Sequence, residues 1–325
     1  MKIQSHFARS LAIITIVTSL ACAGAVGAGS VVIPDTPDGT VKAVAENLAE
    51  GRPEVLWMAL PPSYQQDITD ITHAFANKMD PELYNKTFSL LNKAVVVLTD
   101  KKDIIQGSSM IKTVEEDDLD TVEEGWDTAM ALLGTLLTSD ISDLEKMKTF
   151  NYEDFFKGTA TALMEQAAAM SAEDPEDPYA KEFQSKFEAM TVELLNTEGD
   201  HATLVISAPD EEPEQVEMTR VEGRWIPTDM ADDWAEEVAE AKQKIEEITP
   251  ESLAETKMQA MMMLAMAESF VDQVGQVNSS EELDALIGGM FGSMMGGMGA
   301  PPAGAPSEEP GEELGEEPSD DPSDG

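Results

Sequence analysis

The sequence predicts a predominantly helical α+β protein, a multi-helix domain carrying one small antiparallel meander of three or four strands at about residues 190–228. Three observations predict it. Apolar residues recur at i, i+3, i+4 and i+7 along most of the chain before residue 190 and again after 228, which is the period of a helix with one buried face. Between 191 and 227 the period drops to two, with Gly-containing turns at the joins. Finally, 42% of the 325 residues are hydrophobic, enough for a core in spite of the charge.

The elements follow in order. Val41, Val44, Ala45 and Leu48 share one face of a first helix, and Gly51 suits the left-handed position that ends it. Pro53 restarts a helical segment to Leu60, which Pro61-Pro62 stops. Ser63 is the expected cap of the next helix, with the stripe Tyr64, Ile68, Ile71, Phe75 and Met79. Asp80-Pro81 combines a cap with a proline at the first helical position, ahead of Tyr84, Phe88, Leu91, Val95 and Leu98. A shorter segment runs through Met110. The acids of Glu115–Asp120 suit a helix N-terminus, with Leu119, Val122, Trp126, Leu133 and Leu137 expected inward. Asn151 caps a helix with Phe155, Phe156, Leu163, Ala167 and Met170. Ala172–Pro178 reads as a loop, and Asp177-Pro178 opens a helix bearing Tyr179, Phe183 and Phe187.

Thr191–Asn196, His201–Ser207, Gln215–Val221 and Arg224–Pro227 alternate as strands, joined by turns at Glu198–Asp200 and Glu222-Gly223. Leu204 and Ile206 are expected inward, with either Val216, Met218 and Arg220 or Val221 beside them. Helix resumes at Ala231–Ile248, with Trp234, Val238, Ala241, Ile245 and Ile248 on one side. Thr249-Pro250 starts a Met-rich helix to about Val277, and Ser279 with Glu282 reads as a capping box for a last short helix to Ile287.

The ends have a different character. Residues 1–28 read as a secretory signal: Lys2 and Arg9 with no acid, the apolar core Leu11–Leu20, then small residues permitting cleavage after Ala23, Ala25 or Ala28. Ser19-Leu20-Ala21-Cys22 resembles a bacterial lipobox with Ser19 in the place usually held by Leu, so a lipid anchor at Cys22 is the alternative fate. Residues 29–287 are expected to form the folded domain, with a subdivision near 171–178. Residues 288–325, a Gly/Met run, then Pro/Ala and an acidic tail, have too little to bury and are expected to be disordered. The expected location is exported, periplasmic or secreted, with no membrane span in the mature chain.

Composition excludes much chemistry. With 64 acids against 20 bases and a net charge of −44, the chain repels nucleic acid and anionic membranes. Cys22 is the only cysteine, so no disulfide forms within the chain. His6 lies in the leader, His73 falls opposite the apolar stripe of its helix and is expected in solvent, and His201 begins a strand. Two isolated histidines and no thiol leave no basis for a zinc site or a Cys/His nucleophile. Asp117, Asp118, Asp120, Gly125 and Asp127 suggest a calcium loop, but Val122 stands where an oxygen ligand is needed. Met258, Met261, Met262, Met263 and Met266, then Met290, Met294, Met295 and Met298, form two clusters. Thioethers of this kind bind Cu(I), fill cores, or offer a soft surface to a partner helix. No catalytic, cofactor or metal residue is assigned.

The stretch Gly199–Ile206, followed by Val216–Met218 and Val221–Pro227 with its "EGRWIP" ending, resembles the sheet of exported bacterial proteins of the nuclear-transport-factor-two-like, cystatin-like class. The resemblance covers about 40 residues and implies helices packed on a curved antiparallel sheet. The whole chain also resembles exported proteins of planctomycete-type bacteria, which supply no activity and no functional residue to carry over. The function expected is therefore a non-catalytic exported binding or scaffolding protein of the cell envelope, whose partner is another envelope protein. The alternatives are a hydrolase- or lyase-like enzyme using carboxylates and His201 in a cup over the sheet, and an acidic cation-buffering protein.

Overall fold

A computed structural model of the chain describes residues 31–109, 116–173, 189–208 and 212–296. Residues 1–28, expected as a signal, with Cys22, the side chains of Leu119 and Val122, the expected helix of Tyr179, Phe183 and Phe187, and the residues beyond Gly296 lie outside the described residues.

Helix α1 (Pro37–Ala49) begins where Thr36 Oγ1 accepts from the Gly39 N–H. It ends in a Schellman arrangement: Gly51 adopts φ 73°, Arg52 N–H donates to Asn47 O at 2.8 Å, and Gly51 N–H donates to Leu48 O at 3.0 Å. Helix α2 (Glu54–Ala59) leads to α3 (Pro62–Lys78) and α4 (Pro81–Asp100), the latter capped by Asp80 Oδ1 on the Leu83 N–H at 2.9 Å. Ser63 is not the cap of α3. The helix starts two residues earlier than a Ser63 cap would place it, with Pro61 as the cap and Pro62 at its first position, and the Ser63 N–H is satisfied from far away, by Glu222 Oε2 at 2.9 Å.

Short α5 (Lys102–Gln106) precedes α6 (Glu116–Leu137), and α7 (Leu144–Met147) precedes α8 (Tyr152–Phe155), which Asn151 caps. A π-helical turn, Phe156–Ala160, joins α8 to α9 (Thr161–Glu173). The wide turn adds a residue to the helical count. The buried line is therefore Ala160, Met164 and Ala167, rather than the Phe155, Leu163 and Ala167 that an unbroken 3.6 period selects. Leu133, expected inward on α6, is exposed, and Leu137 alone of that pair is buried.

Four strands, β1 (Thr191–Glu198), β2 (His201–Ser207), β3 (Glu214–Val221) and β4 (Arg224–Pro227), form an antiparallel meander in sequence order. Leu204 stands between Leu194 and Val216, and Ala202 is opposite Met218. This register puts Val216, Met218 and Arg220 on the α1 face, with Arg220 at its rim forming a two-pronged pair with Asp35. The β3–β4 turn has both Glu222 (φ 51°) and Gly223 (φ 79°) left-handed, the type I′ geometry that follows strand twist. A non-glycine residue there costs about 1–3 kcal/mol. The hydrogen bond that Glu222 gives α3 offsets part of that cost.

Helices α10 (Thr228–Glu246), α11 (Pro250–Gln276) and α12 (Ser280–Gly296) complete the fold. Thr249 and Ser252 cap α11 reciprocally. Helix α12 does not stop at Ile287. It passes through Gly288-Gly289, each costing about 1 kcal/mol relative to alanine, with Leu286 and Ile287 packed onto a core just before them.

Among the described residues three clusters of buried side chains stand out: Leu48, Val55 and Met164; Val192, Ala202, Leu204, Met218 and Trp225; and Val274, Val277 and Leu283. Helix α4 lies between α6 and α11 and fully buries none of its side chains, as expected of a helix packed on two sides and open on the other two.

Two distant stretches, 62–109 and 228–284, run side by side in the same direction. Trp234 meets Tyr64 and Asp67; Lys78 donates to the Ile248 carbonyl; Lys257 pairs with Asp80, and Lys93 with Asp272. Lys101 then reaches Val277 O, Ser280 Oγ donates to Ile104 O, and Ser108 Oγ donates to Asp284 Oδ1. The sequence offset holds between 167 at Trp234–Asp67 and 182 at Lys86–Glu268. The fit is tight at Gly107, where an added Cβ runs into Ser280 Oγ. That hydroxyl is committed to Ile104 O at 2.8 Å, so it cannot turn away without losing its bond. Gly107→Ala is expected to cost about 1–3 kcal/mol by urea denaturation. In a Ser280→Ala background the same change should cost much less; an unchanged cost there counts against the contact.

Candidate functional site

Helix α11 presents two unlike faces. Toward α4 it sends Lys257 to Asp80 (2.9 Å) and Glu82 (2.7 Å), Glu268 to Lys86 (2.6 Å), and Asp272 to Lys93 (2.5 Å). Toward solvent it presents Met258, Met262, Met263 and Met266, which are 78, 60, 61 and 67% exposed. Met258, Met262 and Met266 recur every four residues, so they line one side of the helix over about 12 Å. The sequence singled out this cluster; the structure shows that its thioethers are not core filler. The second methionine cluster lies mostly beyond the described side chains, and Met290 is 46% exposed on α12.

The electrostatics around this face are one-sided. Among the described residues every lysine side chain bonds a carboxylate or carbonyl of its own chain, for example Lys42 with Asp38, Lys102 with Asp127, Lys242 with Asp67 and Lys244 with Glu240. Glu246, Glu247 and Glu251, just ahead of the methionines, are exposed and enter no ion pair among the described residues. The scarce bases are thus each committed to a partner within the chain, several of them on its surface, and the unpaired surface charge is anionic.

Several carboxylates are held in their charged form. The hydrogen bond from the Leu83 N–H, then the Lys257 ammonium, hold the Asp80 carboxyl below its usual range. Lys242, and less strongly Trp234, do the same for Asp67. A folded-state value below the unfolded one gives stability that is present above about pH 4 and lost as pH falls through the folded value. Asp80→Asn keeps a capping acceptor but drops the ion pair. Its urea midpoint should lie below wild type at about pH 6 and converge with it by about pH 2; a gap of constant size at both would refute the assignment.

The histidines stand apart. His73 is half-buried rather than in solvent: α3 is covered by α10 on one side and by the segment before α8 on the other, and Nε2 donates to Phe150 O at 3.0 Å. His201 is exposed, with Nδ1 3.3 Å from Thr219 Oγ1, which shares a 2.9 Å hydrogen bond with Thr228 Oγ1. It points away from the α1 face of the sheet, since Ala202 and Leu204 are the buried positions of β2. The α1 face is filled by Val192, Ala202, Leu204, Met218 and Trp225, with Val41 of α1 packed over them. Among the described residues no three His, Cys, Asp or Glu side chains gather into a set that could hold a metal ion. Asp117, Asp118 and Asp120 fall in the first turns of α6, where their side chains are not described, and Asp127 pairs with Lys102.

Sequence reasoning missed a second aromatic feature. Trp57 stacks on Tyr152 at 4.7 Å, with Phe150, Phe155 and Phe156 around them, and Tyr152 OH shares a 2.6 Å hydrogen bond with Thr72 Oγ1. The group joins α2, α3 and α8 beside the π turn. The only signal for it was the density of aromatics at 150–156.

Compared with known proteins, the chain matches no family model, no curated protein and no solved structure. No described helix is long and apolar enough to cross a membrane.

Proposed function

We propose that this chain is a non-catalytic exported binding or scaffolding protein of the cell envelope, and that it holds its partner, another envelope protein, on the solvent face of α11. The observation that carries this reading is the row Met258, Met262 and Met266, exposed on a helix whose α4-facing side is tied down by five ion pairs. Exposed large apolar side chains gathered on one face mark an interaction surface, and flexible, polarisable methionine suits one that must adapt to its partner. Export rests on the character of residues 1–28.

Two observations weigh against the enzyme alternative. The side of the sheet where a cup would open is filled by apolar side chains under α1, and His201 faces the other way, among threonines.

The test is a photo-crosslinking amino acid placed at Met262 in the full chain, with exposed Asp154 of α8 as the control position, in envelope extract of the source cells. A discrete adduct from position 262, absent from 154 and lost when Met258 and Met266 become serine, is expected. The same adducts from both positions, or none from 262, would reject the reading.

A further inference from the structure

We propose that the occupant of the α11 methionine face is a basic amphipathic helix of the partner protein, laid along Met258, Met262 and Met266 with its positive end over Glu246, Glu247 and Glu251. This rests on the binding reading above and adds the partner's chemistry.

Three observations lead to it. The exposed band is about 12 Å long and one helix wide, which fits the apolar stripe of a helix better than an extended strand, whose side chains alternate between faces. The methionines supply an apolar surface of adjustable shape, which receives helices of differing detail. The charge pattern selects the sign of the flanking residues: the chain carries −44, every described lysine has a partner within the chain, and Glu246, Glu247 and Glu251, exposed and outside any ion pair among the described residues, precede the band. A basic partner is drawn to such a field and an acidic one is repelled. The same argument disfavours a second copy of this chain, which would bring another −44 to the interface.

The probe is a synthetic helix of about 18 residues with leucine along one face and lysine elsewhere, titrated calorimetrically into the full chain. The controls are a scrambled peptide of the same composition and the form with every lysine replaced by glutamate. Binding by the parent peptide is expected, with the scrambled form weaker by about tenfold or more and the glutamate form silent. Met258→Ser, Met262→Ser and Met266→Ser together should weaken the parent peptide by about tenfold or more without changing the circular dichroism of the protein, since all three side chains are exposed. Glu246→Gln, Glu247→Gln and Glu251→Gln together should weaken it and flatten its dependence on salt.

Equal binding of parent and scrambled peptides, or unchanged binding to the serine variant, would overturn the proposal by reducing the effect to bulk charge. Sedimentation of the protein alone as a dimer that the serine variant abolishes would overturn it in favour of a second copy. A crosslink from position 262 without any peptide binding would end this inference and leave the binding reading standing; loss of both would end both.

Discussion

Replacing Leu204 with alanine is expected to lower the free energy of unfolding by about 2–5 kcal/mol. Leu204 is fully buried at the centre of the meander, opposite Leu194 on one side and Val216 on the other. Its neighbours Val192, Ala202, Met218 and Trp225 are held by the sheet, and Val41 by α1, so the site has few means of closing over the void. A small domain is stable by about 5–15 kcal/mol in total, so the loss falls in the range that shifts a urea midpoint visibly. Leu195→Ala is the control: its side chain is about half-exposed on the edge strand, and its cost should be small. A Leu204→Ala midpoint within error of the Leu195→Ala midpoint would show that the meander does not share in the cooperative core.

Trp234→Ala should cost about 3 kcal/mol. The indole lies parallel to Tyr64 at 3.9 Å, and its Nε1 donates to Asp67 Oδ2 at 3.2 Å, so the substitution removes both a stacked pair and a hydrogen-bond donor. Tyr64 is buried at the head of α3, where burial, and then the charges of Glu222, Asp232 and Asp67, push its hydroxyl above the usual tyrosine range. Removing the indole admits water beside that hydroxyl, so its titration, followed by ultraviolet absorbance, should move down toward the ordinary value. Trp234→Phe retains the stack, and is expected to recover most of the stability while Asp67 keeps Lys242 at 2.8 Å. Equal losses for phenylalanine and alanine would shift the weight from stacking to the Asp67 bond.

The helices and the meander were legible because each carries its own local signal. Asp80-Pro81 and Thr249-Pro250 start helices as written, Gly51 ends one, and the type I′ pair Glu222-Gly223 turns β3 into β4. The failures occurred where a distant residue decided the outcome. Ser63 looked like a cap, but Glu222 takes that role from 159 residues away. The π turn at Phe156–Ala160 shifted the buried line to Met164, and no residue in that stretch announces it. His73 was placed in solvent from the helical wheel of α3 alone, which cannot register the Phe150 carbonyl approaching its polar side. For the candidate site, the sequence supplied the methionines but not their exposure. A run of Met at helical spacing reads equally as core or surface until the other face of the helix is seen to be occupied, and the lysines that occupy it come from a segment about 180 residues earlier.

The side-by-side course of 62–109 and 228–284 also fixes an order of events in time. The meander closes on itself through connections of two to six residues, whereas each contact between α4 and α11 must first bring together ends about 180 residues apart, an entropic cost of about 4–5 kcal/mol by the logarithmic loop law. The first such contact carries that cost and the later ones, sharing the same loop, largely do not. The joining of the two stretches is therefore expected to come late and as one cooperative step, and its high contact order is expected to slow folding. A chain cut short before Pro250 would still turn its four strands, but α4 would be left without one of the two neighbours between which it lies.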